Sequence, residues 1–204
     1  MTEHGRPVLL LASRSAARRA MLDAAGVPHE AMSPSVDEET AKAALRADGI
    51  GPRDLADALA ELKALRLSQR VPGALVLGCD QTLALDDGGT LDKPVDRDEA
   101  RRQLVGLRGR THRLHSAAVI CENGHPVWRI VDTAQLAMRD FSDDFLDSYL
   151  DAEWPAISGC VGGYRLEGPG AQLFARVRGD HFTILGLPLF ALLDYLRVRG
   201  ILTS

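Results

Sequence analysis

Five short stretches of this sequence carry residue types suited to handling a charged phosphate ester. The first is Ser13-Arg14-Ser15-Ala16-Ala17-Arg18-Arg19, a polar turn after an apolar run and before a helical pattern. A helix N-terminus presents free backbone N–H groups and a positive dipole end, which favour phosphate. Arginine in a first helical turn opposes that dipole unless an anion sits there. A solvated helix start with basic residues would give the same letters. The second is Asp80-Gln81, expected at the end of a buried strand. Ligands of open α/β sheets gather at the carboxyl ends of strands. A carboxylate there can hold a divalent metal, act as a base on water, or merely cap a turn. The third is Asp37-Glu38-Glu39, expected in a loop before a helix. Such carboxylates are usually only solvated, but one could join Asp80 around a hard cation, which takes oxygen ligands from separate segments. Lys63, on a helix flank, and Lys93, held by Pro94, are the remaining candidate phosphate ligands. The glycines around 159–170 permit close backbone approach to a ligand, or simply make a flexible loop.

Other chemistries lose support. The six histidines have no metal-site spacing. His112 and His115 are three apart on an expected strand, so they point to opposite faces. There is no P-loop, no GxSxG and no GxGxxG. The three cysteines, Cys79, Cys121 and Cys160, are far apart and form no CxxC pair, the pattern of reduced core thiols.

These residues need a scaffold. The chain has 204 residues, 46% hydrophobic and 25% charged, with a net charge of −4. That balance supports one globular domain over 1–204 and gives no sign of a nucleic-acid backbone as partner. The N-terminal apolar run is too short for a signal peptide, and no stretch reaches the ~18 apolar residues of a membrane span. A soluble, cytoplasmic protein without membrane contact is expected.

Apolar runs and turn signals predict strands over 8–12, 29–33, 74–79, 111–121, 127–138 and 171–178. They also predict a hairpin from 82 to 91 and a tight turn at 122–125. Helices are predicted over 16–25, with Ser15 as cap and Gly26 as stop, and over 53–69, 96–107, 142–152 and 188–199. The fold class is therefore α/β: a twisted mixed β-sheet flanked by helices, as one domain or as two lobes around a central cleft.

Taken in order, these segments resemble the Maf family of nucleotide pyrophosphatases, along the chain from Leu9 to about Leu196. The matching motifs are Ala12-Ser13-Arg14-Ser15-Ala16-Ala17-Arg18, Val36-Asp37-Glu38, Ala60-Glu61-Leu62-Lys63-Ala64 and Gly78-Cys79-Asp80-Gln81. Lys93-Pro94, Leu107-Arg108-Gly109-Arg110-Thr111-His112, Gly163-Tyr164-Arg165-Leu166-Glu167-Gly168, Gly179-Asp180 and Leu185-Gly186-Leu187-Pro188-Leu189 follow. The resemblance implies hydrolysis of a nucleoside triphosphate to the monophosphate and pyrophosphate. Ser13, Arg18, Lys63 and Lys93 would hold phosphate. Glu38 and Asp80 would position Mg²⁺ or Mn²⁺, with Asp80 also the base. Ala17, Gln81 and Glu167 occupy the positions that distinguish branches. A dTTP- and UTP-hydrolysing branch carries Arg, Thr and Gln there, and a 7-methyl-GTP branch carries Trp, Gln and Glu. Gln81 and Glu167 side with the second, while Ala17 matches neither, and Ala16 replaces the usual proline. A homodimer is also implied. The alternatives are a dTTP/UTP or inosine-triphosphate-type pyrophosphatase, and a non-enzymatic nucleotide-binding regulator of cell division, the latter from the family's association with septum formation.

Overall fold

The computed structural model describes residues 9–203. Val8, expected to open the first strand, and the N-terminal segment before it lie outside the described residues. Leu9–Ala12 forms β1, fully buried as its continuous apolar run requires. Ser15 then caps α1 (Ala16–Ala24), accepting from the Arg18 amide. A two-residue strand β2 (Glu30–Ala31) lies parallel to β1.

Two helices follow. Asp37 caps α2 (Glu38–Ala47), accepting from the Thr40 amide, so Glu38 and Glu39 form a first helical turn rather than a loop. Carboxylates there are favoured by the dipole. No residue of α2 is buried, so apolar packing does not hold it in place. By contrast α3 (Pro52–Ser68) buries Leu55, Leu59, Ala60, Lys63, Ala64 and Leu67.

The expected break at Asp80 does not occur. β3 runs unbroken from Leu75 to Leu85, with Asp80 and Gln81 near its middle. It pairs with β5 (Thr111–Glu122) along its whole length. Its other edge is covered in two pieces. β1 pairs in parallel from Leu75 to Gly78, and β4 (Thr90–Leu91) pairs antiparallel at Leu83 and Ala84. Residues 79–82 lie between them on an open edge, so Asp80 follows the end of the parallel neighbour, not the end of its own strand.

Asp96 caps α4 (Arg97–Leu107). β5 turns into β6 (His125–Met138) at Asn123-Gly124, whose φ values of 51° and 79° suit the right-handed twist of a tight hairpin. Ser142 caps α5 (Asp143–Glu153), and two 3-10 turns, Ala156–Gly159 and Pro169–Leu173, flank the glycine-rich loop. The second of these replaces the start of the expected strand, leaving β7 as Phe174–Arg178. A short helix α6 (His181–Ile184), capped by Asp180, precedes the closing helix α7 (Leu189–Val198).

The result is one mixed seven-stranded sheet in the order β2-β1-β3-β5-β6-β7, with β4 beside β3. Three apolar clusters hold it together. Ala56, Ala60 and Ala64 of α3 pack on Leu10, Val76 and Val119 on one face. On the other, Leu22, Leu192 and Leu196 cover Leu9, Leu77 and Ile120 at one end. Leu104, Leu107, Leu146 and Leu150 cover Leu83, Leu114 and Leu136 at the other. The last two clusters are the cores of two lobes. All three cysteines are free, with Cys79 and Cys121 buried. Among the described residues, no helix is long and apolar enough to cross a membrane.

Candidate active site

A cavity of about 930 Å³ opens at the uncovered edge of β3. Ser13, Ala17, Arg18, Glu38, Lys63, Asp80, Gln81, Lys93 and Glu167 all line it. That volume lies within the usual range for small-molecule sites, roughly 300–1,000 Å³. A second hollow of about 340 Å³ lies on the sheet between Thr111, Gln135 and Arg176, and no carboxylate lines it.

One wall is the β1–α1 turn. Ser13 is buried, and its Oγ accepts from the Ser15 amide at 3.1 Å. Ser15 in turn caps the helix. The turn is thus locked by its own side chains, and α1 carries no acidic residue in its first turn to compete for its amides. Arg18 is fixed at two points. Its Nε donates to Gly186 O at 2.8 Å and its Nη1 to Cys79 O at 3.1 Å. The second bond uses a carbonyl on the free edge of β3. Gly186 has φ of +100°, a backbone region side chains rarely adopt, which explains glycine there. Arg14 also lines the cavity, whereas Arg19 is exposed outside it.

The floor is an ionic triad. Lys63 Nζ lies 2.7 Å from Asp80 Oδ1 and 2.7 Å from Glu38 Oε2. The Lys63 side chain is 6% exposed and that of Asp80 12%. Helix α3 can supply a lysine here because Gly78 lets it approach β3: a Cβ at residue 78 would lie 2.1 Å from Ala60 O. Burial pushes the Glu38 carboxyl up. Lys63, by charge and hydrogen bond, and beyond it Lys93 and Arg18, outweigh that and hold its pKa below the usual value. Since α2 buries nothing, ionic contacts place Glu38. Lys42 reaches Asp92 at 2.9 Å and Arg46 reaches it at 2.9 Å, tying α2 to the segment just before Lys93.

Lys93 stands at the rim. Its surface reaches solvent, but protein surrounds it on the concave side. That desolvation, then the charge of Arg18, lowers its pKa from the usual lysine value. Among the described residues it forms no ion pair within 4 Å, so its charge is available to an anion.

The amide of Gln81 is committed on its donor side. Its Nε2 donates to Ser116 Oγ at 2.9 Å, Thr183 O at 3.1 Å and Ile184 O at 2.9 Å. Both N–H groups are therefore spent on α6 and β5, and only Oε1 is left for a ligand. Glu167 is exposed on the glycine-rich loop. That loop is anchored just before Glu167: Tyr164 Oη lies 2.7 Å from His112 Nε2, and Arg165 donates to the buried Glu153 at 2.7 Å. Ala17 offers a small apolar wall. Ser116, Thr183, His112 and Glu153 were not visible as site residues, because each acts through a partner distant in sequence.

The charged side chains lining the cavity balance. Arg14, Arg18, Lys63, Lys93 and Arg165 face Asp37, Glu38, Glu39, Asp80 and Glu167. A polyanionic ligand therefore meets cations on the turn side but brings charge that side chains alone do not neutralise. Glu38 and Asp80 fit a hard divalent cation. Each uses one oxygen on Lys63, leaving a second oxygen apiece. Among the described residues no group of three or more His, Cys, Asp or Glu is arranged to hold a metal. Two carboxylates completed by phosphate oxygens and water suit Mg²⁺ or Mn²⁺.

The Maf-like protein family model matches residues 8–199 of the chain. A protein of Caulobacter vibrioides called nucleoside triphosphate pyrophosphatase is 54% identical over 193 residues, covering 95% of this chain and 96% of its own length. A protein of Roseobacter denitrificans with the same name is 52% identical, covering 94% and 96%. One from Sphingopyxis alaskensis, also so named, is 49% identical, covering 95% and 98%.

Proposed function

The chain belongs to the Maf-like protein family, and we propose that it is a nucleoside triphosphate pyrophosphatase, a hydrolase that splits its substrate into a nucleoside monophosphate and pyrophosphate. The observation that carries this reading is the meeting of a buried carboxylate, Asp80, with Lys63, Arg18, Lys93 and a helix N-terminus in one cavity. A triphosphate carries about four negative charges, and its hydrolysis is mainly positioning and charge neutralisation.

Ser13, the first amides of α1, Arg18 and Lys93 bind the phosphate oxygens, and Lys63 adds its ammonium from the floor. Arg18 is held rigidly by two carbonyls, so it fixes the phosphate chain without reorganising. Asp80 orients a water for attack on the α-phosphorus and takes its proton. A Mg²⁺ or Mn²⁺ ion held by Glu38 and Asp80 would add positive charge against the phosphates and the leaving pyrophosphate. A pure nucleotide binder could do without the Asp80 carboxylate, which favours the enzyme over the regulator.

The base contacts follow from hydrogen-bond type. Gln81 presents only an acceptor and Glu167 is acceptor-only when ionised. Guanine offers two donors on one edge, N1–H and the exocyclic amine. Inosine keeps one of these, and thymine and uracil offer one donor between two carbonyls. The site therefore prefers a guanine-type base, 7-methylguanine included. Ala17 gives no aromatic face for a methylated cationic base, so the range is broader than stacking would allow. The test is pyrophosphate release with Mg²⁺ or Mn²⁺ from GTP, 7-methyl-GTP, ITP, UTP and dTTP, on wild type and Glu167→Gln. Guanine-type substrates should lead by roughly tenfold, about 1.4 kcal/mol, the low end of an unmatched polar contact because Glu167 is exposed until a base covers it. The substitution should narrow that lead. No pyrophosphate from any triphosphate rejects the activity, and a lead for UTP and dTTP unmoved by the substitution rejects the base reading.

A further inference from the structure

Lys63 occupies the position between the two carboxylates assigned to the divalent cation. An ammonium has three N–H donors and no acceptor, and this one donates to Asp80 Oδ1 at 2.7 Å with Glu38 Oε2 also 2.7 Å from its nitrogen. The triad carries two negative charges and one positive. A hard cation binds carboxylate oxygen at about 2.0–2.1 Å, so any oxygen it takes from either residue brings it close to the ammonium in a buried, weakly screened place. Like charges at that separation repel, so even on the second oxygens a cation binds against the field of the ammonium.

We propose, resting on the pyrophosphatase reading, that Lys63 competes with the divalent cation for the Glu38–Asp80 pair and yields it when triphosphate oxygens offer the ammonium a new partner. Cation and nucleotide then enter as a coupled pair, and a cation arriving alone binds weakly. Three features single out Lys63 for this part. It stands on a flexible four-carbon stem. Arg18, the other buried-edge cation, is tied to two backbone carbonyls and cannot swing. Glu38 sits on α2, which buries no residue and can follow a small change, whereas Asp80 is fixed in a central strand. The coupling is reciprocal: whatever factor the nucleotide adds to cation affinity, the cation adds to nucleotide affinity.

The test measures free Mn²⁺ by its paramagnetic resonance during titration of wild type, Lys63→Met and Lys63→Gln. Each is titrated with and without an α,β-methylene triphosphate that cannot be hydrolysed. Lys63→Met removes the charge at similar length. Lys63→Gln also removes it but keeps an N–H donor between the carboxylates, so it reads the effect if the methionine variant loses its fold by circular dichroism. Without nucleotide, the neutral variants should bind Mn²⁺ tenfold or more tighter than wild type. The methylene analogue should tighten Mn²⁺ on wild type by more than on either variant. Equal or weaker Mn²⁺ binding by the folded variants overturns the competition. Pyrophosphate release by wild type separates the two readings. Turnover without a gain in Mn²⁺ affinity sinks the competition alone, and a gain without turnover supports the competition while rejecting the activity.

Discussion

Asp80→Asn isolates charge from shape. Asp80 is 8% exposed, sits mid-strand in β3 opposite Ala117, and accepts from Lys63 at 2.7 Å. Asparagine has nearly the same volume and keeps an oxygen for that hydrogen bond, so the fold has little reason to change. Removing one partner from a buried ion pair costs about 3–5 kcal/mol when the other charge is stranded. Lys63 is not stranded, because Glu38 remains at 2.7 Å. The stability loss should therefore fall to about 1–2 kcal/mol, a drop in Tm of roughly 2–8 °C for a chain of this size. The catalytic loss should be far larger. Without a base the rate should fall by about 10²–10⁴, equivalent to roughly 3–5 kcal/mol of barrier. The assay is pyrophosphate release under saturating triphosphate and divalent cation, beside a thermal melt of the same sample. A variant that melts within this window yet turns over within about threefold of wild type would falsify the assignment of Asp80 as base.

Three further outcomes follow from the same geometry. Gly78→Ala places a methyl 2.1 Å from Ala60 O and 2.6 Å from Ala64 N, so α3 must retreat. The expected loss is about 1–3 kcal/mol or more in urea unfolding, with activity falling too because Lys63 moves with the helix, and an unchanged midpoint would refute the close packing. His112 is fully buried, and burial lowers its pKa from 6.5 to about 4, so the fold keeps it neutral while the unfolded chain takes up a proton. Its contribution is complete above pH 6.5 and is lost as pH falls towards 4, roughly 3 kcal/mol in all. Urea unfolding between pH 7.5 and 4.5 should show a steeper loss in wild type than in His112→Phe, since His115, whose pKa burial also lowers, is common to both, and parallel curves would contradict the His112 contribution. Finally, excess chelator should abolish turnover and added Mg²⁺ or Mn²⁺ restore it, because the remaining carboxylate oxygens of Glu38 and Asp80 suit hard ions. Full turnover in chelator would remove both from the list of cation ligands.

Local signals made much of the fold legible. The apolar run before Ser13, with Ser15 and Gly26 around the helix, marks β1 and α1 correctly, and Asn123-Gly124 marks the long hairpin. Elements held by other forces were not legible. α2 is fixed by Asp37, Lys42 and Arg46 rather than by burial, and Leu45 is its one large apolar side chain, so its helical pattern is carried mostly by alanines and announces little. α6 spans only His181–Ile184 and has no room for a pattern. The site behaved similarly. Residue types at helix and strand boundaries pointed to the side chains that share the cavity, but not to their wiring. Lys63 reads as an ordinary flank lysine until α3 packs on Gly78 and buries it.

The misplaced end of β3 shows why wiring escapes a reading of one chain. Asp80, Gln81 and Thr82 interrupt an apolar run, and an isolated strand would gain nothing by burying them. Each is compensated from far away. Lys63 answers Asp80, Ser116 with the Thr183 and Ile184 carbonyls answers Gln81, and Pro52 O accepts from Thr82 at 2.7 Å. A polar triplet followed by resumed apolar residues, Leu83-Ala84-Leu85, is therefore not a strand ending. It is a strand crossing a gap between two edge partners, where β1 has stopped at Gly78 and β4 has yet to begin at Leu83. The same gap that leaves Cys79 O free for Arg18 gives Asp80 its opening to the cavity. The polar interruption that looked like a boundary in the fold is the place where the sheet itself makes the site.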